Sequence, residues 1–224
     1  MTPARAKKTT GLSDKKRVVK LFEKLNRVHP DAKLDLNFSN PLELLIALIL
    51  AAQTRDSLVN QVTAQIFPRF WTAENYARTS LKKLEQAIRK INFYRNKARM
   101  IQNCCREIAE GFRGKVPENV NDLTTLPGVG RKTANILLGN AFGQNAIGVD
   151  THVMRLSQRL GLTRNTKPDK IEIDLTNIVP EKHWVRFCHL LQYHGRRVCI
   201  AKRPRCAECV LNSLCPYPGK TVGD

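Results

Sequence analysis

The sequence lacks a long hydrophobic run. The longest one, Leu42 to Ala52, includes Glu43, and it is much shorter than the roughly 20 apolar residues that a membrane-crossing helix needs. The first residues carry Arg5, Lys7 and Lys8, but no apolar stretch follows them, so we expect no secretory signal peptide. The sequence therefore predicts an intracellular, cytoplasmic protein with no membrane partner.

Acidic residues are also scarce. The chain has 19 Asp and Glu residues against 38 Lys and Arg residues, which gives a formal net charge of +19 and a pI near 10.0. This imbalance is unusual for an enzyme of small metabolites and indicates a polyanionic partner. Solvated surface lysines could account for part of it, and an acidic membrane is an alternative partner. Because no Lys-rich amphipathic helix with an aromatic face is found, nucleic acid is favoured.

Strand signals, internal repeats and low-complexity segments are missing, which favours an all-α fold. Ser39 or Asn40 can cap the helix that begins at Pro41. Residues 1–12 are basic without periodicity, so a disordered basic tail is predicted there. The predicted helices are Ser13 to Val28, Pro41 to Ala52, a helix carrying Leu58 to Ile66, Leu81 to Ile91, Ala98 to Phe112, Asn121 to Thr125, Arg131 to Phe142, Thr151 to Leu160, Pro168 to Ile178, and Glu181 to His194 with Gly195 as its terminator.

The segment LPGVGRKTA at residues 126–134 predicts two helices joined by a tight hairpin. Gly128 and Gly130 permit the positive φ angles and the close backbone approach that a hairpin needs. The second helix would begin at Arg131, and its first N–H groups would be free to bind an anion. Since the commonest polymeric anion is a nucleic-acid backbone, the hairpin predicts a DNA or RNA contact.

Lys132 lies in the first turn of that second helix, where the helix dipole disfavours a positive charge. Phosphate binding is one explanation for a lysine at this position. The other is a nucleophilic amine, part of which is neutral at pH 7 because the helix end and Arg131 repel its proton. Further along the chain, Asp150 precedes Thr151 and His152 and can cap the helix that follows.

Four of the seven cysteines form the pattern Cys199-x6-Cys206-x2-Cys209-x5-Cys215. In a reducing compartment disulfides are not expected, so a metal or cluster is the first alternative. Zinc usually takes two closely spaced pairs, and this segment has one. The wider spacers suit an iron–sulfur cluster, whose thiolates bind separate irons. Zinc remains the alternative.

The spacer after Cys199 carries Lys202, Arg203 and Arg205. A loop whose two ends are both bound to a cluster, and which carries several cations, would act as a rigid phosphate clamp. The other three cysteines lie on or beside apolar helix faces and are expected to be ordinary packing residues. They are Cys104, Cys105 and Cys188.

Together, the hairpin, the Val-Asp-Thr-His segment ending at His152 and the cysteine pattern resemble the endonuclease III branch of the helix-hairpin-helix DNA glycosylases. The resemblance runs from about Leu36 to Cys215. It implies that Lys132 is the catalytic nucleophile, that Asp150 is its carboxylate partner, and that the four cysteines hold a [4Fe–4S] cluster.

The resemblance also implies two helical domains. One is a six-helix domain of residues 34–146, which carries the helix-hairpin-helix motif at about residues 121–143. The other is a discontinuous iron–sulfur cluster domain of residues 13–33 plus 147–224. A DNA-binding cleft is expected between them.

Gln53 to Asp56 form a polar break between two apolar helices. The resemblance implies that this loop lines the lesion pocket and that Gln53 fills the gap left by an extruded nucleotide. Asp56 is expected to cap the next helix in either case. Phe93 lies among basic residues and could be a wedge into stacked bases, or a core residue at a helix junction. The family usually has an aliphatic residue here, so Phe93 departs from its pattern.

The resemblance implies a bifunctional glycosylase and abasic-site lyase that acts on oxidised pyrimidines through a Schiff base. Its partner would be double-stranded DNA with damaged bases or abasic sites, bound by a nucleoid-associated monomer. A related adenine mismatch glycosylase is one alternative, but it lacks a lysine at the position of Lys132. A non-catalytic DNA-binding iron–sulfur module is another, but it would not need Lys132 and Asp150 together. The expected DNA contacts are Gln53, Asp56, Phe93, Gly128, Gly130, Arg131, Thr151, His152, Lys202, Arg203 and Arg205.

Overall fold

A computed structural model of the protein describes residues 14–221, and all regular secondary structure in that range is helical. The predicted tail, residues 1–12, lies outside the described residues. The α-helices are α1 Asp14–Val28, α2 Pro41–Ala51, α3 Asp56–Ile66, α4 Ala73–Arg78, α5 Leu81–Ala87, α6 Tyr94–Gly111, α7 Val120–Thr125, α8 Arg131–Ala141, α9 Thr151–Arg159, α10 Pro168–Ile178 and α11 Trp184–Arg197, with short 3₁₀ helices at Glu181–His183 and Asn212–Leu214. None of the described helices is long and apolar enough to span a bilayer.

The contacts of the chain divide it into two compact units. One consists of residues 34–148 and contains α2 to α8. The other combines the described parts of residues 1–33 and 149–224, and contains α1 and α9 to α11. The second unit is therefore discontinuous in sequence, because the whole of the first unit is inserted between α1 and α9.

Residues 34–148 contain seven α-helices, so the prediction of six was wrong. The additional helix is α4, which has six residues and is too short to show helical periodicity. Its start is fixed by a capping box, in which Thr72 and Asn75 each accept a hydrogen bond from the other's backbone N–H. Ala73 and Tyr76 anchor it in the core, with 0% and 1% exposure.

Helix α2 is the centre of the larger core, as its apolar sequence predicts. The Asn40 side chain caps it by accepting a hydrogen bond from the Glu43 N–H at 3.0 Å, and Pro41 is its first residue. The Glu43 carboxylate in turn accepts a bond from the Ser39 N–H at 2.6 Å. The predicted cap is confirmed. The buried side chains of α2 are Leu44, Leu45, Ile46, Ala47, Ile49 and Leu50, and each buried leucine or isoleucine contributes about 2 kcal/mol of transfer free energy.

In the discontinuous unit, α1 is attached to the end of α9 by a buried arginine. The Arg17 guanidinium donates to the carbonyl oxygens of Leu160 and Gly161 at 2.7 and 3.1 Å. These carbonyls follow the last turn of α9, where backbone acceptors have no partner within the helix. The two halves of this unit are therefore joined by hydrogen bonds from a side chain to the backbone as well as by apolar packing.

Gly195 does not end the last helix, so that prediction was wrong. Helix α11 continues to Arg197, and Gly195 is a buried residue within it. A Cβ atom at Gly195 would lie 2.9 Å from Nδ1 of His152 and 3.0 Å from Nη2 of Arg155. The glycine is needed because α9 and α11 approach closely here, and sequence alone does not distinguish such a packing glycine from a terminator.

Candidate active site and cluster-binding site

The segment between α7 and α8 is a tight hairpin. Gly128 has a φ of 83°, which favours glycine, and a Cβ there would lie 3.4 Å from Cβ of Met100. The N–H of Val129 donates to the Leu126 carbonyl at 3.1 Å, and both side chains are buried. The predicted hairpin is therefore present, with its apolar residues as internal anchors.

The two glycines were predicted to permit positive φ angles and close backbone approach, and the prediction of a positive φ is wrong for Gly130. Its φ is −91° and its ψ is 171°, an extended conformation that other residues adopt. No heavy atom would lie within 4 Å of a Cβ at Gly130. Within the protein, neither backbone strain nor packing requires glycine at this position.

Gly130 is also the N-cap of α8, and this helix has no side-chain cap and no acidic residue in its first turn. Arg131 and Lys132 lie exposed in that first turn. Farther along, α8 is fixed by buried apolar residues and by Asn135, which donates to the Ile147 carbonyl at 2.9 Å. A rigid helix thus presents its positive end and two cations to the surface, which suits an anion.

Asp150 is the N-cap of α9, as predicted. Its Oδ1 accepts hydrogen bonds from the N–H groups of His152 and Val153 at 2.9 and 2.8 Å. Both bonds go to Oδ1, so Oδ2 is not used by the cap and keeps its acceptor capacity for another partner. Thr151 is exposed, whereas His152 is half-buried, with Nδ1 3.1 Å from Nη2 of Arg155.

The loop after α2 contains Gln53, which is exposed and has a φ of 53°. Asp56 does not cap α3, so that prediction was wrong. The N-cap is Arg55, whose carbonyl accepts the first helical bonds, and Asp56 is the first helical residue. A carboxylate in the first turn still interacts favourably with the helix dipole.

Phe93 is 63% exposed, so the alternative that placed it in the core was wrong. It is the N-cap of α6 and has a φ of 59°. Asn92, which precedes Phe93, connects the loop of Phe93 to the loop of Gln53, because its Nδ2 donates to the Gln53 carbonyl at 2.7 Å. The structure therefore brings Gln53 and Phe93 together.

Two residues near this loop pair were missed by the sequence analysis: Asn92 and Lys97. Lys97 is only 4% exposed, and its ammonium donates to the backbone of the Gln53 loop. It lies on the buried face of α6 that continues through Ile101 and Cys104. A lysine on an apolar helical stripe was the signal that could have identified it.

The four cysteines of the C-terminal pattern line one cavity, together with His194, Arg159 and Tyr217. All four are free thiols, as are the three buried cysteines that were predicted to be packing residues. Among the described residues, no three His, Cys, Asp or Glu side chains are arranged to hold a single metal ion. Four thiols around a common space suit an iron–sulfur cluster, in which each thiolate binds a separate iron.

Two nitrogen groups lie against the cysteine sulfurs. Nε2 of His194 is 3.3 Å from Sγ of Cys209, and Nη1 of Arg159 donates to Sγ of Cys199 at 3.4 Å. Nδ1 of His194 is 3.1 Å from Nε2 of His29. Burial, with a smaller effect from His29, lowers the pKa of His194 to about 4, so this ring is neutral near pH 7. N–H groups at sulfur ligands stabilise the negative charge of an iron–sulfur site.

We call residues 199–206 the cation loop, because it carries three exposed cations: Lys202, Arg203 and Arg205. Helix α9 binds the backbone of this loop. Arg155 donates to the carbonyl of Cys199 at 3.1 Å. Arg159 donates to the next two carbonyls at 2.9 and 2.6 Å. The loop is therefore held by arginines inside the unit while its own cations remain outside, as a phosphate clamp requires.

A family model described as HhH-GPD superfamily base excision DNA repair protein matches residues 46–181. The chain belongs to that superfamily. A second model, the iron-sulfur binding domain of endonuclease III, matches residues 199–215, the segment that the four cysteines delimit. The predictions of the family, the all-α fold and an iron–sulfur cluster are confirmed.

Within the superfamily the chain is similar to endonuclease III. It is 46% identical over 205 residues to the protein of a Synechocystis species, covering 91% of this chain and 94% of that protein. It is 45% identical over 196 residues to that of Bacillus subtilis, covering 87% and 89% of the two chains. A solved structure of a trapped endonuclease III–DNA covalent intermediate is 42% identical and has a TM-score of 0.86, with 91% of this chain and 96% of that chain covered.

Proposed function

We propose that this protein is a bifunctional DNA glycosylase and abasic-site lyase that removes oxidised pyrimidines from duplex DNA. The observation that carries the proposal is the position of Lys132, an exposed amine in the first turn of a helix that no side chain caps. The similar endonuclease III that was trapped as a covalent intermediate with DNA supports a mechanism with a nucleophile in the protein.

Lys132 is the proposed nucleophile. Its neutral Nζ attacks C1′ of the damaged nucleotide, a C1′–N bond forms, and the base leaves with the electron pair of the glycosidic bond and takes up a proton. Opening of the sugar ring gives an iminium between Nζ and C1′. The iminium acidifies the C2′ proton, whose removal expels the 3′ phosphate by β-elimination. Hydrolysis then releases Lys132.

Asp150 is the proposed carboxylate partner of this reaction. Its Oδ1 is occupied by two backbone N–H groups, which fix the orientation of the side chain. Its Oδ2 supplies negative charge, which stabilises the cationic sugar and assists proton transfer. One carboxylate thus serves both as a helix cap and as an electrostatic group in catalysis.

The partner is double-stranded DNA with damaged bases or abasic sites, and the protein is proposed to act as a nucleoid-associated monomer. The net charge of +19 and the exposed cation loop support phosphate binding. Cys199, Cys206, Cys209 and Cys215 would hold the [4Fe–4S] cluster, which would supply a fixed attachment for both ends of the cation loop. The proposed fillers of the vacancy left by the extruded nucleotide are Gln53 and Phe93.

The test of the nucleophile is borohydride trapping on an oligonucleotide duplex that contains one oxidised pyrimidine. Hydride reduces the iminium to a stable amine, so the wild-type protein should become covalently attached to the DNA. Lys132→Ala should abolish trapping. Lys132→Arg should abolish it too, because a guanidinium is always protonated and does not attack. Lys82→Ala, which removes an exposed lysine of α5, is the matched control and should trap normally.

A lysine that only binds phosphate would give the opposite pattern. The arginine variant would then trap as well as the wild type, and both substitutions would change affinity rather than chemistry. That outcome would assign the nucleophile to another residue, whereas absence of trapping by the wild-type protein would favour the non-catalytic module.

A further inference from the structure

Two loops in residues 34–148 hold their backbone in a conformation that L-amino acids rarely adopt. Gln53 has a φ of 53° and Phe93 a φ of 59°, and the only other non-glycine residue with positive φ in the described range is Arg113. Left-handed backbone is unfavourable for non-glycine residues and persists where the surroundings enforce it. Both side chains are exposed, so packing of these side chains does not supply that enforcement.

The first enforcing group is the Lys97 ammonium. Its Nζ donates to the Leu50 carbonyl at 2.8 Å, the Ala52 carbonyl at 2.5 Å and the Thr54 hydroxyl at 3.1 Å. All three of its donors are used, and the acceptors flank Gln53 on both sides. The positive charge lies at the C-terminal end of α2, where the helix dipole stabilises it and offsets part of the cost of its burial.

The second enforcing group is the side-chain amide of Asn92. It donates to the carbonyl of Gln53 at 2.7 Å. Asn92 directly precedes Phe93, whose own carbonyl accepts the N–H of Lys97 at 3.1 Å as α6 begins. The backbone of one strained residue is therefore attached to the neighbour of the other.

We propose that Asn92 and Lys97 are positioning residues that preset the Gln53 and Phe93 loops as one rigid element for insertion into DNA. The proposal rests on the proposed function, because it requires a duplex from which a nucleotide has been extruded. With the strained conformations already formed in the free protein, DNA binding does not have to impose them. The two side chains then enter the vacated position together.

Helix capping alone explains only part of this arrangement. The last carbonyls of α2 need partners, and Lys97 would satisfy them in a protein that never binds DNA. Asn92 distinguishes the two explanations. It is exposed, and its bond goes to a residue beyond the end of α2, so its removal leaves the helix ends and the core intact.

The experiment compares Asn92→Ala with Asn103→Ala as a matched control. Asn103 is an exposed asparagine within α6, and it accepts a bond from Arg106 at 3.2 Å. The first readout is the hydrogen-exchange rate of the Thr54 amide, which closes the Gln53 turn by bonding to the Ala51 carbonyl. The second is the ratio of affinities for a duplex with a tetrahydrofuran abasic analogue and for an undamaged duplex.

In Asn92→Ala the Thr54 amide should exchange about fivefold faster, and the affinity ratio should fall about fivefold, the effect of losing one ordinary hydrogen bond. Affinity for undamaged duplex and the melting temperature should match the control. Asn92→Asp should also speed exchange at Thr54 and lower the affinity ratio, because it keeps the shape of the side chain but has no N–H donor; its negative charge should in addition weaken binding to both duplexes.

An affinity ratio equal to that of the control would overturn the proposal. So would a lower ratio with unchanged exchange at Thr54, since Asn92 would then act on DNA directly rather than through Gln53. Faster exchange with an unchanged affinity ratio would also overturn it, because the bond from Asn92 to Gln53 would then have a structural role only. Neither readout needs catalysis, so loss of borohydride trapping in the wild type would refute the proposed function without deciding the role of Asn92.

Discussion

Replacing Gly130 with alanine separates the folding role of the hairpin from its proposed contact with DNA. The backbone at Gly130 is extended, with a φ of −91°, and a Cβ there would meet no heavy atom within 4 Å. Alanine therefore fits the free protein without strain or collision. It would, however, cover the backbone N–H groups at the start of α8, where a phosphate is proposed to bind.

The effect on stability can be worked out from two opposing contributions. Alanine loses less backbone entropy than glycine on folding, which adds about 0.4–1 kcal/mol. Alanine is a poorer N-cap than glycine, which costs roughly 0.5–1 kcal/mol. The free energy of unfolding of Gly130→Ala should thus stay within about 0.5 kcal/mol of the wild-type value, as measured by urea denaturation.

The effect on DNA should be much larger. A methyl group between the helix end and a phosphate prevents the close approach that makes those hydrogen bonds, and losing one bond to a charged group costs about 1.5–3 kcal/mol. Affinity for lesion duplex, measured by fluorescence anisotropy at fixed salt, should fall by about ten- to a hundredfold.

Gly128→Ala is the control from the same hairpin. Its φ of 83° costs alanine about 1–2 kcal/mol, so the melting temperature should fall by about 2–8 °C for a chain of this size. The reasoning fails if Gly130→Ala is destabilised as much as Gly128→Ala. It also fails if Gly130→Ala binds lesion duplex as tightly as the wild type.

Three further predictions concern other parts of the protein. Gly195→Ala puts a Cβ 2.9 Å from Nδ1 of His152, and this overpacking should lower the free energy of unfolding by about 1–3 kcal/mol in a urea titration. Phe93→Ala removes a stacking surface and should weaken binding to tetrahydrofuran duplex by about 1–3 kcal/mol, whereas unchanged binding would exclude insertion. Burial lowers the pKa of Lys97 to about 8, while the unfolded chain titrates at about 10.4. Between about pH 8 and about pH 10.4 the unfolded state therefore binds more protons than the folded state. As the pH increases over that range, the free energy of unfolding of the wild type should rise relative to that of Lys97→Met.

Helices with a long apolar stripe or a clear cap could be read from the sequence. The limits of α10 at Pro168–Ile178 match the prediction, because Pro168 begins the helix and Ile171 and Leu175 mark its buried face. The short helix α4 was missed because six residues do not establish a period, and its capping box is the signal that remains. Gly195 misled the prediction because a glycine that permits close packing and one that ends a helix look alike in sequence.

The candidate site was predictable where a local motif carries the chemistry. The hairpin, the Asp150 cap and the four cysteines are each contained in one segment, so spacing alone indicates them. The bonds from Asn92 and Lys97 to the Gln53 loop join residues 39 to 47 positions apart. Such contacts depend on how α2 and α6 pack, and local patterns contain little information about that packing.

The two helix starts that carry the proposed catalytic residues have opposite electrostatic character. At α9 the Asp150 carboxylate accepts the free N–H groups and offsets the positive end of the helix. At α8 the cap is a glycine without a side chain, and the first turn contains Arg131 and Lys132 but no acid. A fold selected for stability alone would have an acidic or hydroxyl cap at the start of both helices, since such a cap contributes about 1 kcal/mol to the free energy of unfolding. The open, positive start of α8 is therefore poor for stability but suited to an anionic ligand, and Lys132 would meet the DNA backbone there.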